Sequence, residues 1–132
     1  MRVLVVDDDA DFLHLAKRAL EARGHEVDTV TTAFGLVNRV AGASGPTPDV
    51  VVLDCEMPGL SGFAVVELLA KDRRTSMVPV LLVSAGDGEA VRAAAAMHPL
   101  AAFHKKDGRM KALVESLEQH MSAVVNVAEV KQ

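Results

Sequence analysis

Short apolar runs alternate along the chain with longer stretches in which apolar residues recur every three or four positions. RVLVV (2–6) predicts a buried strand. From Ala10 to Arg23, the residues Phe12, Leu13, Ala16 and Leu20 form one helical stripe, and Gly24 is placed to end that helix in a left-handed conformation. HEVDTV (25–30) alternates like a strand with one wet face. A weaker helical pattern covers 32–42 around Phe34, Leu36, Val37 and Val40, and GASGPTP (42–48) reads as a loop. VVVLD (50–54) is a continuous apolar strand of the kind found in sheets covered on both faces. A helix over 60–71 carries Val65, Val66, Leu68 and Leu69, and VPVLLVS (78–84) is a fourth strand. An alanine-rich helix over 87–97 ends near His98 and Pro99, and LAAFHK (100–105) is a short fifth strand. From Asp107 onward, Met110, Leu113, Val114, Leu117, Met121 and Val124 mark a long amphipathic helix.

This alternation predicts an α/β fold, (βα)₅, with a parallel sheet between two layers of helices. Right-handed crossovers leave few topologies. In such sheets a ligand sits beyond the carboxyl ends of the strands, where the strand order reverses. Composition adds bounds. The 132 residues suffice for one domain with a core, and half of them are hydrophobic. A net charge of −4 gives no electrostatic footprint for nucleic acid, so no direct nucleic-acid binding is expected. One cysteine, Cys55, excludes an intramolecular disulfide and suits a reducing compartment. The apolar run at the N-terminus is too short for a signal-peptide core, and no segment approaches membrane-spanning length; a cytoplasmic location is expected. The five histidines show no metal-ligand spacing and are read as surface or packing residues.

The strand ends carry the chemistry. The first strand runs into Asp7, Asp8 and Asp9, the third ends in Asp54, the fourth in Ser84 followed by Ala85, and the fifth in Lys105 and Lys106. Clustered carboxylates repel unless a cation shares them, and oxygen-only ligands favour Mg²⁺. A metal, a hydroxyl and a lysine together stabilise a phosphoryl group in transfer, and aspartate can attack phosphorus to give an acyl phosphate. Asp9 is read as the cap of the first helix. A calcium loop starting at Asp7 is excluded, because its sixth and twelfth positions hold Phe12 and Arg18.

In these features the sequence resembles a response-regulator receiver domain of the CheY-like family, over roughly residues 2–120. The resemblance rests on the acids after strand one, the D-x-x-M-P-G-x-x-G pattern at 54–62, Ser84-Ala85, and Phe103 three residues before Lys106. It implies a flavodoxin-like doubly wound (βα)₅ fold with a five-stranded parallel sheet in the order 2-1-3-4-5. It further implies that 1–120 form the receiver and that 121–132 extend the last helix or begin a linker.

By the same resemblance Asp54 is the phosphoacceptor. Asp8 binds Mg²⁺ directly, Asp7 acts through water, and the backbone carbonyl of Glu56 is a further ligand beside Asp54. Ser84, Ala85 and Lys106 hold the phosphoryl group, and the rotamer of Phe103 follows Ser84. The implied function is a phosphorylation-activated switch in a two-component phosphorelay. Such a domain assists its own phosphorylation and dephosphorylation without acting on a separate substrate. The implied partners are a histidine kinase or histidine phosphotransfer protein and a downstream protein or fused output domain, with no membrane; homodimerisation on phosphorylation is one available output. The output face is helix four, strand five and helix five.

Three departures bear on this reading. Asp107 follows Lys106 where many receivers have a cis proline, and a cis bond here costs about 2.5–4 kcal/mol. Either that geometry is kept under strain, or the bond is trans and the lysine approaches differently. Lys106 is preferred to Lys105 because it has the aromatic three residues before it. Glu56 brings a second acid whose side chain is expected to compete with Lys106 or to alter access of hydrolytic water, changing acyl-phosphate lifetime more than phosphorylation rate. Met57-Pro58-Gly59 is a structural turn, and Cys55 is a bystander. Two alternatives remain: a receiver-like interaction module that is never phosphorylated, and an aspartate-nucleophile phosphatase of the haloacid-dehalogenase type using Asp7 and Asp9.

Overall fold

The computed structural model describes residues 1–41, 46–57, 62–73, 75–86, 89–96 and 98–130. The predicted turn at Pro58-Gly59 and the helix starts at 60 and 87 lie outside them. Five strands and five helices alternate: β1 (Arg2–Val6), α1 (Ala10–Glu21), β2 (Glu26–Val30), α2 (Ala33–Ala41), β3 (Val50–Asp54), α3 (Gly62–Lys71), β4 (Val80–Ser84), α4 (Glu89–Ala96), β5 (Ala101–Lys105) and α5 (Met110–Val130). All sheet pairings are parallel, in the order β2-β1-β3-β4-β5. The order reverses between β1 and β3, and that point is where the acids converge.

Alternation of side chains across the central strands builds two cores. Leu4, Val6, Val51, Leu53, Val80 and Leu82 face one side, packed with Leu36 of α2, Val65, Val66 and Leu69 of α3, and Ala95 of α4. Val3, Val5, Val50, Val52, Leu81 and Val83 face the other, against Phe12, Leu13, Ala16 and Leu20 of α1 and Leu113, Val114 and Leu117 of α5. Every residue of β3 and β4 is buried, as their unbroken apolar sequence requires, while the edge strands β2 and β5 are partly exposed.

Local differences from the sequence pattern have local causes. The fourth strand begins at Val80 and not at 78: Pro79 has no N–H to donate, its carbonyl accepts from Val51 N (3.0 Å), and Val78 N turns back to Thr75 O (2.9 Å). Phe34 is 79% exposed although it belongs to the expected stripe of α2. It lies two positions from the fully buried Leu36, and two residues of helix turn point to opposite sides. Helix α5 starts at Met110, after a turn in which Gly108 has φ +82° and the Asp107 side chain accepts from Arg109 N (3.1 Å). Gly24 does close α1 in the left-handed region, at φ +89°, with Gly24 N bonded to Glu21 O (3.0 Å) and His25 N to Leu20 O (3.2 Å). Those paired bonds satisfy carbonyls that the helix end leaves open.

Candidate functional site

Hydrogen bonds that prolong the sheet hold the site residues in place. Asp7 N donates to Val30 O (3.1 Å), Cys55 N to Val83 O (2.9 Å) and Lys106 N to Ser84 O (2.8 Å). Each bond lies just past the end of a strand, so the chemistry-bearing side chains leave a rigid edge. Asp7 is fully buried, Asp54 is 5% exposed and Ser84 3% exposed, whereas Asp8 is open to solvent. Carboxylate oxygens of Asp7, Asp8 and Asp54 lie within 4.8 Å of one another. Asp9 turns away from this cluster and caps α1, accepting from Asp11 N (3.0 Å) and Phe12 N (3.2 Å).

One ammonium enters the cluster. Lys106 Nζ donates to Asp7 Oδ2 at 2.7 Å and lies 3.8 Å from Asp54 Oδ2. It also sits 4.2 Å from the centre of the Phe12 ring. Lys105 is exposed at the end of β5. The Lys106–Asp107 peptide is trans, as are the other described peptide bonds, and the lysine reaches the acids through that geometry. Burial alone disfavours the Lys106 charge, but its bond to Asp7 and the charges of Asp54 and Asp7 outweigh that and raise its pKa.

Three carboxylates against one ammonium leave the cluster short of positive charge, and Asp54 registers the deficit. Burial, chiefly, and the neighbouring Asp7 push its pKa up to about 6, against the lowering effects of the Glu56 amide and Lys106. The Glu56 amide donates to Asp54 Oδ1 at 3.0 Å. The donor set is all oxygen, closely spaced and undercompensated, which fits a hard divalent cation such as Mg²⁺.

The Glu56 side chain is not on Lys106. Its Oε1 accepts from the Ser84 hydroxyl at 2.7 Å and from Gly86 N at 3.0 Å. These two bonds are the main reason its carboxyl stays below the usual range. Phe103 is half-buried on β5 with the Arg92 guanidinium of α4 4.7 Å from its ring centre. Burial pushes the Cys55 thiol up to about 12, so it stays protonated and unreactive near neutral pH. His98 is buried and accepts from Leu100 N (3.0 Å), and His120 Nε2 lies 2.9 Å from Leu100 O, so both serve packing.

Thus Asp7, Asp8, Asp54 and Lys106 converge, with Ser84 at the end of β4 and Ala85 just after it. Phe103 lies on β5 against Arg92 of α4. Three participants went unread in the sequence. In the sequence Phe12 is one more member of the α1 stripe, Gly86 carries no signal beyond following Ser84-Ala85, and Arg92 is, with Glu89, one of the few charges on an alanine-rich helix.

Comparison with known proteins gives the family and the fold. Residues 3–118 match the family described as the response regulator receiver domain. Protein PilH of Pseudomonas aeruginosa is 40% identical over 88 residues, covering 67% of this chain and 70% of PilH. The response regulator PleD of Caulobacter vibrioides is 38% identical over 91 residues, or 69% of this chain but only 19% of PleD. Among solved structures, a response regulator receiver protein from Burkholderia phymatum superposes with a TM-score of 0.75 at 29% identity, covering 92% of this chain and 94% of that one. The chemotaxis response regulator CheY4 of Vibrio cholerae superposes with a TM-score of 0.78 at 21% identity, over 90% and 97% of the two chains, and shares the fold.

Proposed function

The chain belongs to the response regulator receiver family, the switch domains of two-component signalling, and from that premise we propose that Asp54 is its phosphoacceptor. The observation that carries the proposal is the position of Asp54. It ends the fully buried central strand inside a carboxylate cluster, 3.8 Å from a lysine ammonium. A partner histidine kinase or histidine phosphotransfer protein would present a phosphohistidine. An Asp54 carboxylate oxygen attacks phosphorus, forming the O–P bond as the P–N bond breaks. The electron pair returns to the imidazole, which takes a proton from solvent. Asp7, Asp8, Asp54 and the Glu56 carbonyl would hold Mg²⁺, which when bound neutralises charge on the phosphoryl oxygens. Lys106 pairs with the acceptor before transfer and with phosphoryl oxygens after it, and Ser84 and the Ala85 amide donate to the same group. Hydrolysis by water restores the carboxylate and releases inorganic phosphate.

The added charge biases a two-state equilibrium of the loop after β4 and of Phe103, changing how the α4–β5–α5 face binds a downstream protein or a fused output domain. Such a relay operates in the cytoplasm, and no described helix is long and apolar enough to cross a membrane. The test is incubation with a small-molecule phosphodonor and Mg²⁺, followed by intact-mass spectrometry of the wild type and Asp54→Ala. A phosphoryl adduct confined to the wild type is expected. No adduct, or an equal one on both proteins, would refute the assignment.

A further inference from the structure

The donors assigned to the phosphoryl group already hold an anion. Glu56 Oε1 takes the Ser84 hydroxyl at 2.7 Å and the Gly86 amide at 3.0 Å, and the Ala85 amide also stabilises its charge. A hydroxyl and two successive amides on one loop form the kind of concave donor set that binds an anionic oxygen. Glu56 is tethered for this role: its own amide is bonded to Asp54 Oδ1 at 3.0 Å, so the carboxylate springs from the acceptor's immediate neighbourhood. Gly86 leaves the space it needs, since a Cβ there would approach Oε1 to 3.3 Å.

We propose that the Glu56 carboxylate is a resident stand-in for the phosphoryl group: in the unphosphorylated protein it holds the Ser84–Gly86 loop drawn in toward the end of β3, and it must leave before a phosphoryl group on Asp54 can use the same donors. The idea rests on the phosphoacceptor reading and adds to it a built-in competitor. Two consequences follow. Capture of a phosphoryl group carries the cost of displacing Glu56, so the side chain governs entry as well as loss. Ser84 is also already hydrogen-bonded inward before any phosphoryl group arrives, so its hydroxyl changes acceptor on activation while remaining satisfied.

The test uses the full ¹⁵N-labelled chain as wild type, Glu56→Gln and Glu56→Ala, first in chelator without metal. Losing the charged acceptor should move the Gly86 and Ala85 amide proton resonances upfield in Glu56→Ala, and by less in the isosteric Glu56→Gln, which also reports that the fold is kept. Fluoroberyllate with Mg²⁺, a phosphoryl mimic, is then titrated into each protein. Affinity should rise about tenfold in Glu56→Ala, the scale of freeing a charge-assisted hydrogen-bonding site; binding seen only in the variants supports the stand-in in its strongest form. Amide resonances of Gly86 that do not move in Glu56→Ala, or equal or weaker fluoroberyllate affinity in the variants, would overturn it while leaving Asp54 as acceptor. Fluoroberyllate bound by none of the three overturns the phosphoacceptor reading and the stand-in together.

Discussion

Asp54 carries a cost in the metal-free protein. Its folded-state pKa of about 6 lies above the ordinary 3.8, so the folded chain holds more protons than the unfolded chain between those values. Stability therefore falls as pH rises through that window, and the penalty is complete above about pH 6. Asp54→Asn keeps the oxygen that accepts from Glu56 N and removes the charge. It should be more stable than the wild type at pH 7 in chelator, by on the order of 1–3 kcal/mol, with the difference gone near pH 4. Urea melts of both proteins at the two pH values measure this, and added Mg²⁺ should narrow the gap at pH 7 by binding the wild type. Lys106→Ala should act in the opposite direction. It strips the counter-charge from the fully buried Asp7 and should cost about 3 kcal/mol or more at pH 7 in the same melts. These acids and Lys106 were legible in the sequence because strand ends announce themselves where apolar runs stop. The Glu56 contact was not: the residue stood out, but the direction of its side chain depends on where the loop after β4 comes to lie, and nothing in residues 49–62 encodes that.

Elements were legible to the extent that one strand or one helix face decides them. The stripe of α1 and the apolar runs of β1, β3 and β4 each report their own burial, and all lie in the two cores. Boundaries failed where a single backbone group intervened, as at Pro79, or where too few residues set the phase, as at Phe34 in the short α2. The α1 terminus shows a boundary that a single residue does set. A Cβ at Gly24 meets nothing within 4 Å, so Gly24→Ala introduces no clash and tests only the left-handed backbone. It should cost about 1 kcal/mol in a thermal melt and leave the fold intact. By contrast Leu117, fully buried where α5 meets the sheet, should cost about 2–5 kcal/mol on replacement by alanine. A loss under 1 kcal/mol there would mean that α5 adds little to the second core.

At the scale of the whole molecule the sheet delivers charge to one edge, and β5 links that edge to α4. Residues Ser84 and Lys105 are paired across β4 and β5, and Phe103 lies two residues before Lys105 on β5. Arg92 spans from α4 to the Phe103 ring at 4.7 Å, so the aromatic is tied to the helix that would form the partner face. No local pattern in the sequence could pair those two residues, because the contact exists only once α4 packs on β5. The tie should bias the resting position of the ring. A cation–π contact at an exposed site contributes about 0.5–1 kcal/mol, which corresponds to roughly a two- to fivefold shift between two ring positions. Incorporating fluorophenylalanine labels the four phenylalanines, and Phe103→Leu assigns the resonance that matters. In the wild type, fluoroberyllate with Mg²⁺ should move the Phe103 signal toward a second position. In Arg92→Ala that signal should start part of the way there and need less fluoroberyllate to complete the shift, since the resting ring position has lost its support. A Phe103 resonance indifferent to both the variant and the phosphoryl mimic would mean that this ring takes no part in the proposed switch.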